Sequence, residues 1–172
     1  HLGEEDIAEL ERELGLEGPR ESYLVPEGGS NEMGVAGCSE TLGEDDVVDG
    51  VPFDTVTVAC GTGCTLAGIA ASKGRYGSRV IGFPALKGGG FLLQDATSLL
   101  ARAQGIEGEQ RDAENKAGVE SNPALDAMRG VDLCLDYHFG GYGKFDSTVI
   151  SFMRSFYDMH GIRLDPIYTA KM

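Results

Sequence analysis

The residues best suited to chemistry lie between Cys60 and Thr65, where two glycines and two threonines occur within six positions. Gly61 and Gly63 can adopt positive φ angles and let a ligand come close to backbone N–H groups. Thr62 and Thr65 add hydroxyl donors. If a helix begins here, its free amides and its dipole favour an anion, so the loop is a candidate phosphate cradle.

The identity of the phosphate ligand is limited by what this loop lacks. No Lys-Ser or Lys-Thr pair follows it, as a nucleoside-triphosphate P-loop requires. Leu66 stands where a dinucleotide fingerprint has its third glycine, and the next predicted strand runs into Pro84 without an acidic residue. The pattern favours a single phosphate carried on a compact cofactor. The alternative is a glycine turn that only joins a strand to a helix.

The segments around the loop predict the elements that would hold it. Residues 55–59 are a β-branched run typical of a buried strand, and residues 65–71 are small and compatible with a helix. Further strands are predicted at 23–25, 79–83 and 131–137, a polar loop at 45–52, and helices at 4–16, 32–42, 91–103 and 146–159. In the last helix the predicted inner face comprises Val149, Phe152, Met153 and Phe156.

Alternating strands and helices predict an α/β fold with a parallel sheet flanked by helices. The glycine turns at Gly28, Gly61 and Gly140 all follow predicted strands. Because ligands of such sheets collect at the carboxyl ends of the strands, we expect the three turns at one edge. Asp165-Pro166 predicts a further helix start close to Met172, so we expect residues 1–172 to be a single partial α/β domain of a longer protein.

The composition limits the classes of partner. Acidic residues outnumber basic ones by 28 to 14, a formal net charge of −14, which argues against nucleic acid and anionic membrane surfaces. No run approaches the roughly 20 apolar residues of a membrane span. The four cysteines are too scattered for a disulfide framework, and Cys60 and Cys64 lack a second pair for zinc, so no metal is predicted. Buried thiols in a reducing cytoplasm are the expectation.

Four motifs then occur in an order that resembles a known family. They are residues 24–31 (LVPEGGSN), 60–68 (CGTGCTLAG), 137–144 (YHFGGYGK) and 164–171 (LDPIYTAK). Together they resemble the D-cysteine desulfhydrase and 1-aminocyclopropane-1-carboxylate deaminase family. The resemblance covers nearly the whole chain from Tyr23 onward and implies the fold of tryptophan-synthase-β-like enzymes that use pyridoxal 5′-phosphate (PLP).

The resemblance also implies roles for individual residues. The cofactor phosphate would be held by Gly61, Thr62, Gly63, Cys64 and Thr65. Thr169 matches the position facing the pyridine nitrogen, where the deaminases typically carry glutamate, and therefore favours a desulfhydrase. Tyr142 and Tyr168 match tyrosines that lie over the substrate, although half-buried packing tyrosines are the alternative. His138 and His160 are interpreted as packing or surface residues.

Two departures from the family pattern stand out. Cys64 replaces a small glycine or serine and would crowd the cradle slightly. No lysine of this chain matches the family's Schiff-base position, which lies upstream in the family. The chain has five lysines: Lys73, Lys87, Lys116, Lys144 and Lys171.

The resemblance implies a PLP-dependent lyase or deaminase as the full-length parent, acting on a small amino acid and expected to be a homodimer. D-cysteine is the first candidate substrate and 1-aminocyclopropane-1-carboxylate the second. A non-catalytic domain that binds a phosphate ligand is the alternative from another class. The chain alone is expected to bind PLP weakly and to turn nothing over.

Overall fold

The computed structural model describes residues 9, 12–15, 25–43, 47–48, 51–73, 79–106 and 122–172. The predictions for residues 4–16 and 23–25 lie largely outside these ranges, although Val25 is described and belongs to no strand. Within the described ranges, no helix is long and apolar enough to cross a membrane.

The centre of the fold is a three-stranded parallel sheet. Strands β3 (Thr55–Cys60), β4 (Arg79–Pro84) and β5 (Val131–Leu133) lie side by side with β4 in the middle. β3 and β4 pair along their whole length, from Thr55 opposite Arg79 to Cys60 opposite Pro84. The predicted parallel sheet flanked by helices is confirmed. Its carboxyl edge carries the glycine loop that follows β3.

Within the described ranges, five complete α-helices accompany the sheet: α1 (Glu32–Cys38), α2 (Cys64–Ser72), α3 (Leu92–Ala103), α4 (Pro123–Met128) and α5 (Ser147–His160). Helices α1 to α4 pack on one another, and α2 also packs on the sheet. Seven of the nine α2 residues are buried, because α2 lies between the sheet and the other helices. Small side chains permit this close packing: Ala67, Gly68 and Ala70 leave room for neighbouring backbone.

Alternation along β3 and β4 buries one face of the sheet. Val58, Cys60 and Val80 are buried on that face, while Thr57 on the other side of β3 is exposed. The β-branched run therefore forms strand β3, and the described residues that cover it lie mainly on the face that packs against α2. The buried set continues through Leu66, Leu92 and Leu100 and forms one core.

Several predicted elements have different bounds in the structure. The polar loop predicted at 45–52 contains a short antiparallel hairpin of β1 (Val47–Val48) and β2 (Val51–Pro52). β5 ends at Leu133 instead of residue 137, because the chain turns away from β4 after Cys134 N–H donates to the Gly82 carbonyl. The predicted helix 32–42 ends at Cys38, where Ser39 caps it through bonds to preceding carbonyls.

Two predictions about the last third of the chain differ from the structure. Asp165 does not begin a regular helix: its carboxylate accepts from the amides of residues 167–169, but its carbonyl accepts from the amide of Ala170, five residues on, and this closes a compact turn. The inner face predicted for α5 is buried only in part: Val149 is buried, Phe152 is 48% exposed, and the other two predicted residues are half-buried. α5 makes few contacts with the other described elements, so its apolar side chains have little to pack against.

Candidate functional site

The glycine loop at the carboxyl end of β3 opens directly into α2. Gly63 occupies the cap position with φ 88°, a left-handed conformation that favours glycine, and no side chain caps the helix. The amides of the first turn therefore face a hollow of about 40 Å³ lined by Gly28 and residues 59–66. One water needs roughly 10–15 Å³ of such space, so the hollow has room for a small tetrahedral anion.

A second glycine turn, at Glu27–Gly29, closes one side of this hollow. The Ser30 hydroxyl donates to Thr62 Oγ1 over 2.5 Å. Because the Thr62 oxygen already accepts this bond, its own proton is available to a ligand. Gly28 lies so close that a Cβ there would stand 2.5 Å from Thr62 Oγ1. The sequence predicted a glycine turn at Gly28, and the structure shows that Gly28 and Ser30 contact Thr62 directly.

Cys64 contributes to the loop through its backbone rather than its thiol. Its side chain is buried, and Sγ lies 3.7 Å from the Gly29 carbonyl oxygen, to which it donates. Burial, and secondly the neighbouring Cys38 thiol, raise the pKa of Cys64, so the thiol stays protonated. The thiol packs against the neighbouring turn. Thr65 is exposed in the first turn of α2, and its Oγ1 accepts a weak bond from Cys38 Sγ at 3.7 Å.

Two tyrosines from distant parts of the chain meet beside the loop. Tyr168 Oη lies 3.1 Å from the position that a Cβ on Gly61 would occupy. The Tyr142 ring packs edge to face on Tyr168, with 6.0 Å between centroids. The hydrogen bond with Tyr142, then burial and the nearby carboxylates of Asp165 and Glu27, raise the pKa of Tyr168 to about 12. Tyr168 is therefore a neutral hydroxyl donor at physiological pH.

The turn that presents Tyr168 is organised by Asp165. Partial burial opposes ionisation of Asp165, but hydrogen bonds from Thr169, Tyr168 and Ile167 outweigh it and lower its pKa to about 2. The Thr169 hydroxyl donates to Asp165 Oδ2 at 2.7 Å and accepts from the Asp165 amide at 2.8 Å. One lone pair of the Thr169 oxygen is left for a ligand. Its assignment to the pyridine nitrogen stays a prediction.

The described lysines do not point to a nucleophile at the hollow. Lys73 Nζ donates to the Arg129 carbonyl, and Lys171 Nζ donates to two carbonyls of the 138–144 loop. Lys87 and Lys144 are exposed, and Lys116 lies outside the described residues.

The histidines have structural contacts. His138 Nδ1 accepts the Gly140 amide at 2.9 Å, and the His160 ring packs on Phe156. Across the described ranges, no group of histidine, cysteine and acidic residues could hold a metal ion.

The sequence predicted the loop and both tyrosines but no role for Lys171 in the site. Lys171 stands in one of the four motifs, 164–171. What the motifs did not indicate is which distant partner each side chain would reach. That information comes from the tertiary structure alone.

Comparison with known proteins finds relatives named 1-aminocyclopropane-1-carboxylate deaminase and D-cysteine desulfhydrase. No protein-family model matches the chain. It is 32% identical over 169 residues to a putative 1-aminocyclopropane-1-carboxylate deaminase of Pyrococcus horikoshii, covering 97% of this chain and 46% of that protein. It is 27% identical to a D-cysteine desulfhydrase of Serratia proteamaculans, covering 99% of this chain and 48% of the relative.

A bifunctional D-cysteine desulfhydrase/1-aminocyclopropane-1-carboxylate deaminase of Arabidopsis thaliana is 27% identical over 94% of the chain and 37% of the relative. The solved structure of an ACC deaminase homologue superposes with a TM-score of 0.65 at 28% identity, covering 98% of this chain and 46% of that one. The resemblance seen in the four motifs and the fold it implied are confirmed. The chain spans about half the length of the first two relatives and of this structure.

Proposed function

Because the chain is related along nearly its whole length to 1-aminocyclopropane-1-carboxylate deaminases and D-cysteine desulfhydrases, we propose that it forms the phosphate-binding part of a PLP enzyme acting on a small amino acid. The observation that carries the proposal is the uncapped N-terminus of α2, which opens into a small hollow beside two packed tyrosines. A phosphate at the hollow and a substrate under the tyrosines would lie next to each other.

The residues at the hollow suit a phosphate ester. The left-handed Gly63 leaves the amides of Cys64 and Thr65 facing the anion, and the helix dipole adds a favourable field. Thr62 supplies a hydroxyl whose proton is free of the Ser30 bond. Gly61 has no side chain, so Tyr168 can approach the loop closely. These contacts would hold PLP, which supplies an electron-withdrawing ring for reactions at the α-carbon of an amino acid.

The tyrosines would bind and orient the substrate. Tyr168 is neutral because its pKa lies near 12, so it can donate a hydrogen bond to a carboxylate without repelling it. Tyr142 is 56% exposed and packs on Tyr168, so part of its surface is open to a ligand. A small amino acid would lie between this pair and the loop.

For the parent enzyme we propose D-cysteine as the substrate, with water entering and pyruvate, ammonia and hydrogen sulfide leaving. Support comes from Thr169, which stands where the related deaminases typically carry glutamate. Ring opening of 1-aminocyclopropane-1-carboxylate with uptake of one water, giving 2-oxobutanoate and ammonia, is the second candidate, since relatives carry both names. Sulfide release and 2-oxobutanoate release, assayed side by side on the full-length parent, separate the two. Turnover of neither substrate would refute both.

For the chain by itself we propose weak, non-covalent binding of PLP and no turnover. The described lysines either donate to carbonyls or are exposed, so none is placed to bond the cofactor. A few charge-assisted hydrogen bonds contribute roughly 1.5–3 kcal/mol each, against an association cost of about 4 kcal/mol or more. Borohydride reduction of a chain–PLP mixture should therefore leave no stoichiometric lysine adduct in the mass spectrum.

The binding step is tested by following the ³¹P resonance of PLP while the chain is added. Thr65 and Thr148 form a matched pair, because both are exposed and both are the second residue of a helix. Only the helix of Thr148 is capped, by the Asp146 carboxylate. We expect Thr65→Val to weaken PLP binding by about tenfold or more, the loss of one charged hydrogen bond, and Thr148→Val to leave it unchanged. An unshifted ³¹P resonance with the native chain would refute the proposed site.

A further inference from the structure

Lys171 is the one charged residue among the buried polar residues of the described chain. Only 4% of it is exposed. Its Nζ donates to the carbonyl oxygen of His138 at 3.1 Å and to that of Gly141 at 3.0 Å. Charged lysines are rarely buried unless their donors are satisfied, so this arrangement calls for an explanation. The function proposed above does not use Lys171.

The two carbonyls belong to a loop with an unusual backbone. Phe139, Gly140, Gly141 and Gly143 all have positive φ angles, and Phe139, at φ 49°, is the only non-glycine residue of the described chain with one. Each carbonyl already accepts a backbone bond, His138 O from the Gly141 amide and Gly141 O from the Lys144 amide. Lys171 adds a second bond to each. The loop is thereby tied to the segment that follows Tyr168.

This tie bears directly on the tyrosine pair. Tyr142 follows Gly141 immediately, and Tyr168 lies three residues before Lys171, whose amide donates to the Tyr168 carbonyl at 3.1 Å. Tyr142 therefore belongs to the 138–144 loop and Tyr168 to the 165–171 turn, and Lys171 links this loop to this turn. The Tyr142 ring is 56% exposed, so few other contacts restrain its position.

We propose that Lys171 is a positioning residue that sets Tyr142 against Tyr168 at the edge of the glycine loop, by holding the carbonyls of His138 and Gly141. That the tyrosine pair binds substrate rests on the proposed function. The arrangement of the two rings is independent of that proposal. Lys171 acts through the position of the tyrosines. Its ammonium group is directed at two carbonyls, and burial lowers its pKa while the Asp165 charge opposes this.

The test compares three variants of the whole chain without added cofactor. Lys171→Met keeps the length of the side chain and removes its donors, and Lys171→Arg restores donors. Lys144→Met removes an exposed lysine of the same loop and is the matched control. Tyrosine side chains are labelled with ¹³C, assigned through Tyr142→Phe and Tyr168→Phe, and followed by ring-to-ring NOEs at pH 7.5.

We expect the NOE between the two rings in the native chain, in Lys144→Met and at reduced intensity in Lys171→Arg, and its loss in Lys171→Met. The pKa of Tyr168 should fall from about 12 towards its ordinary value near 10 in Lys171→Met, because the bond with Tyr142 contributes most to the increase. An intact NOE in Lys171→Met would overturn the inference. The ³¹P shift of PLP, measured on the same variants, reports separately on the proposed phosphate site.

A direct measurement on the native chain covers the case in which Lys171→Met does not fold. With ¹⁵N-lysine labelling, the ammonium protons of Lys171 should exchange with water at least tenfold more slowly than those of Lys144. They should also show NOEs to the 138–144 loop. Equal exchange of the two lysines would mean that the carbonyl bonds do not persist in solution, and the inference would be wrong.

Discussion

Gly34 in the first turn of α1 couples the helix packing to the glycine loop. A Cβ on Gly34 would overlap the Gly29 carbonyl oxygen and stand 2.9 Å from Cys64 Sγ. A backbone oxygen cannot rotate away as a side chain can. In Gly34→Ala the Glu27–Gly29 turn must therefore move as a unit, and it carries Gly28 away from the loop. Gly37, three residues later in the same helix, has no atom within 4 Å of the corresponding position.

The two alanine substitutions should have opposite signs. Overpacking costs about 1–3 kcal/mol, and the helix propensity of alanine offsets about 1 kcal/mol of this cost, so Gly34→Ala should lower the free energy of unfolding by up to about 2 kcal/mol. Gly37→Ala should raise it by about 0.4–1 kcal/mol, because it only restricts the unfolded chain. The predicted gap of about 2 kcal/mol is a factor of about 30 in the folding equilibrium.

Urea unfolding followed by circular dichroism measures both values, and the ³¹P titration with PLP measures the loop. We expect Gly34→Ala to weaken PLP binding in the absence of urea, where the variant is still folded, and Gly37→Ala to leave binding unchanged. A Gly34→Ala chain at least as stable as Gly37→Ala would show that α1 and the 27–29 turn are not packed as described. Unchanged PLP binding in a destabilised Gly34→Ala would refute the coupling alone.

Three further predictions concern the loop and its surroundings. Gly28 and Gly29 both have φ 64°, but only a Cβ on Gly28 meets Thr62, at 2.5 Å, so Gly28→Ala should lower PLP affinity more than Gly29→Ala at similar backbone strain; equal affinities by ³¹P titration would contradict this. Burial raises the pKa of the Cys60 thiol from 9.0 to about 11. Between these pH values the folded chain keeps the thiol proton and the unfolded chain has lost it. The free energy of unfolding should therefore fall by up to about 2.7 kcal/mol as pH rises from about 9 to 11. In Cys60→Ala, urea midpoints at pH 8 and 10.5 should differ less than in the native chain. Asp165 has a lowered pKa, so the stabilisation it gives is present above pH 3.8 and is lost as pH falls through about 2; Asp165→Asn should shift the Thr169 amide resonance at pH 7, and an unmoved resonance would count against the described turn.

The elements nearest the loop could be predicted because their signals are local. A β-branched run, two glycines and a run of small residues fix the order strand, loop, helix, and the observed β3 and α2 agree to within one residue at each end. The position at which β5 ends could not be predicted from such local signals. Its residues alternate suitably through 137, but Tyr137 packs its ring on Phe83 instead of extending the ladder beyond Leu133.

In the candidate site, too, the local features could be predicted from the sequence and the long-range contacts could not. The donors of the loop are adjacent in sequence, and their types alone indicate an anion. The contact of Tyr168 with Gly61 and the bonds of Lys171 join residues from distant parts of the chain, and only the packing of the 138–144 loop against the 165–171 turn brings them together. The resemblance to a family named Tyr142 and Tyr168 but not the group that holds them.

The net charge gives a last prediction about how the anion is held. The chain carries a formal charge of −14, and none of the described residues that line the hollow at the start of α2 is charged. Binding must then rest on short-range amide and hydroxyl contacts, while the rest of the protein repels PLP at long range. Raising the ionic strength from about 0.01 to 0.15 M shortens the Debye length from about 30 to 8 Å and screens that repulsion. With a salt whose anion is too bulky for the hollow, PLP affinity should therefore stay constant or rise. A steep fall would mean that lysine or arginine side chains hold the phosphate, and that the backbone of the glycine loop does not.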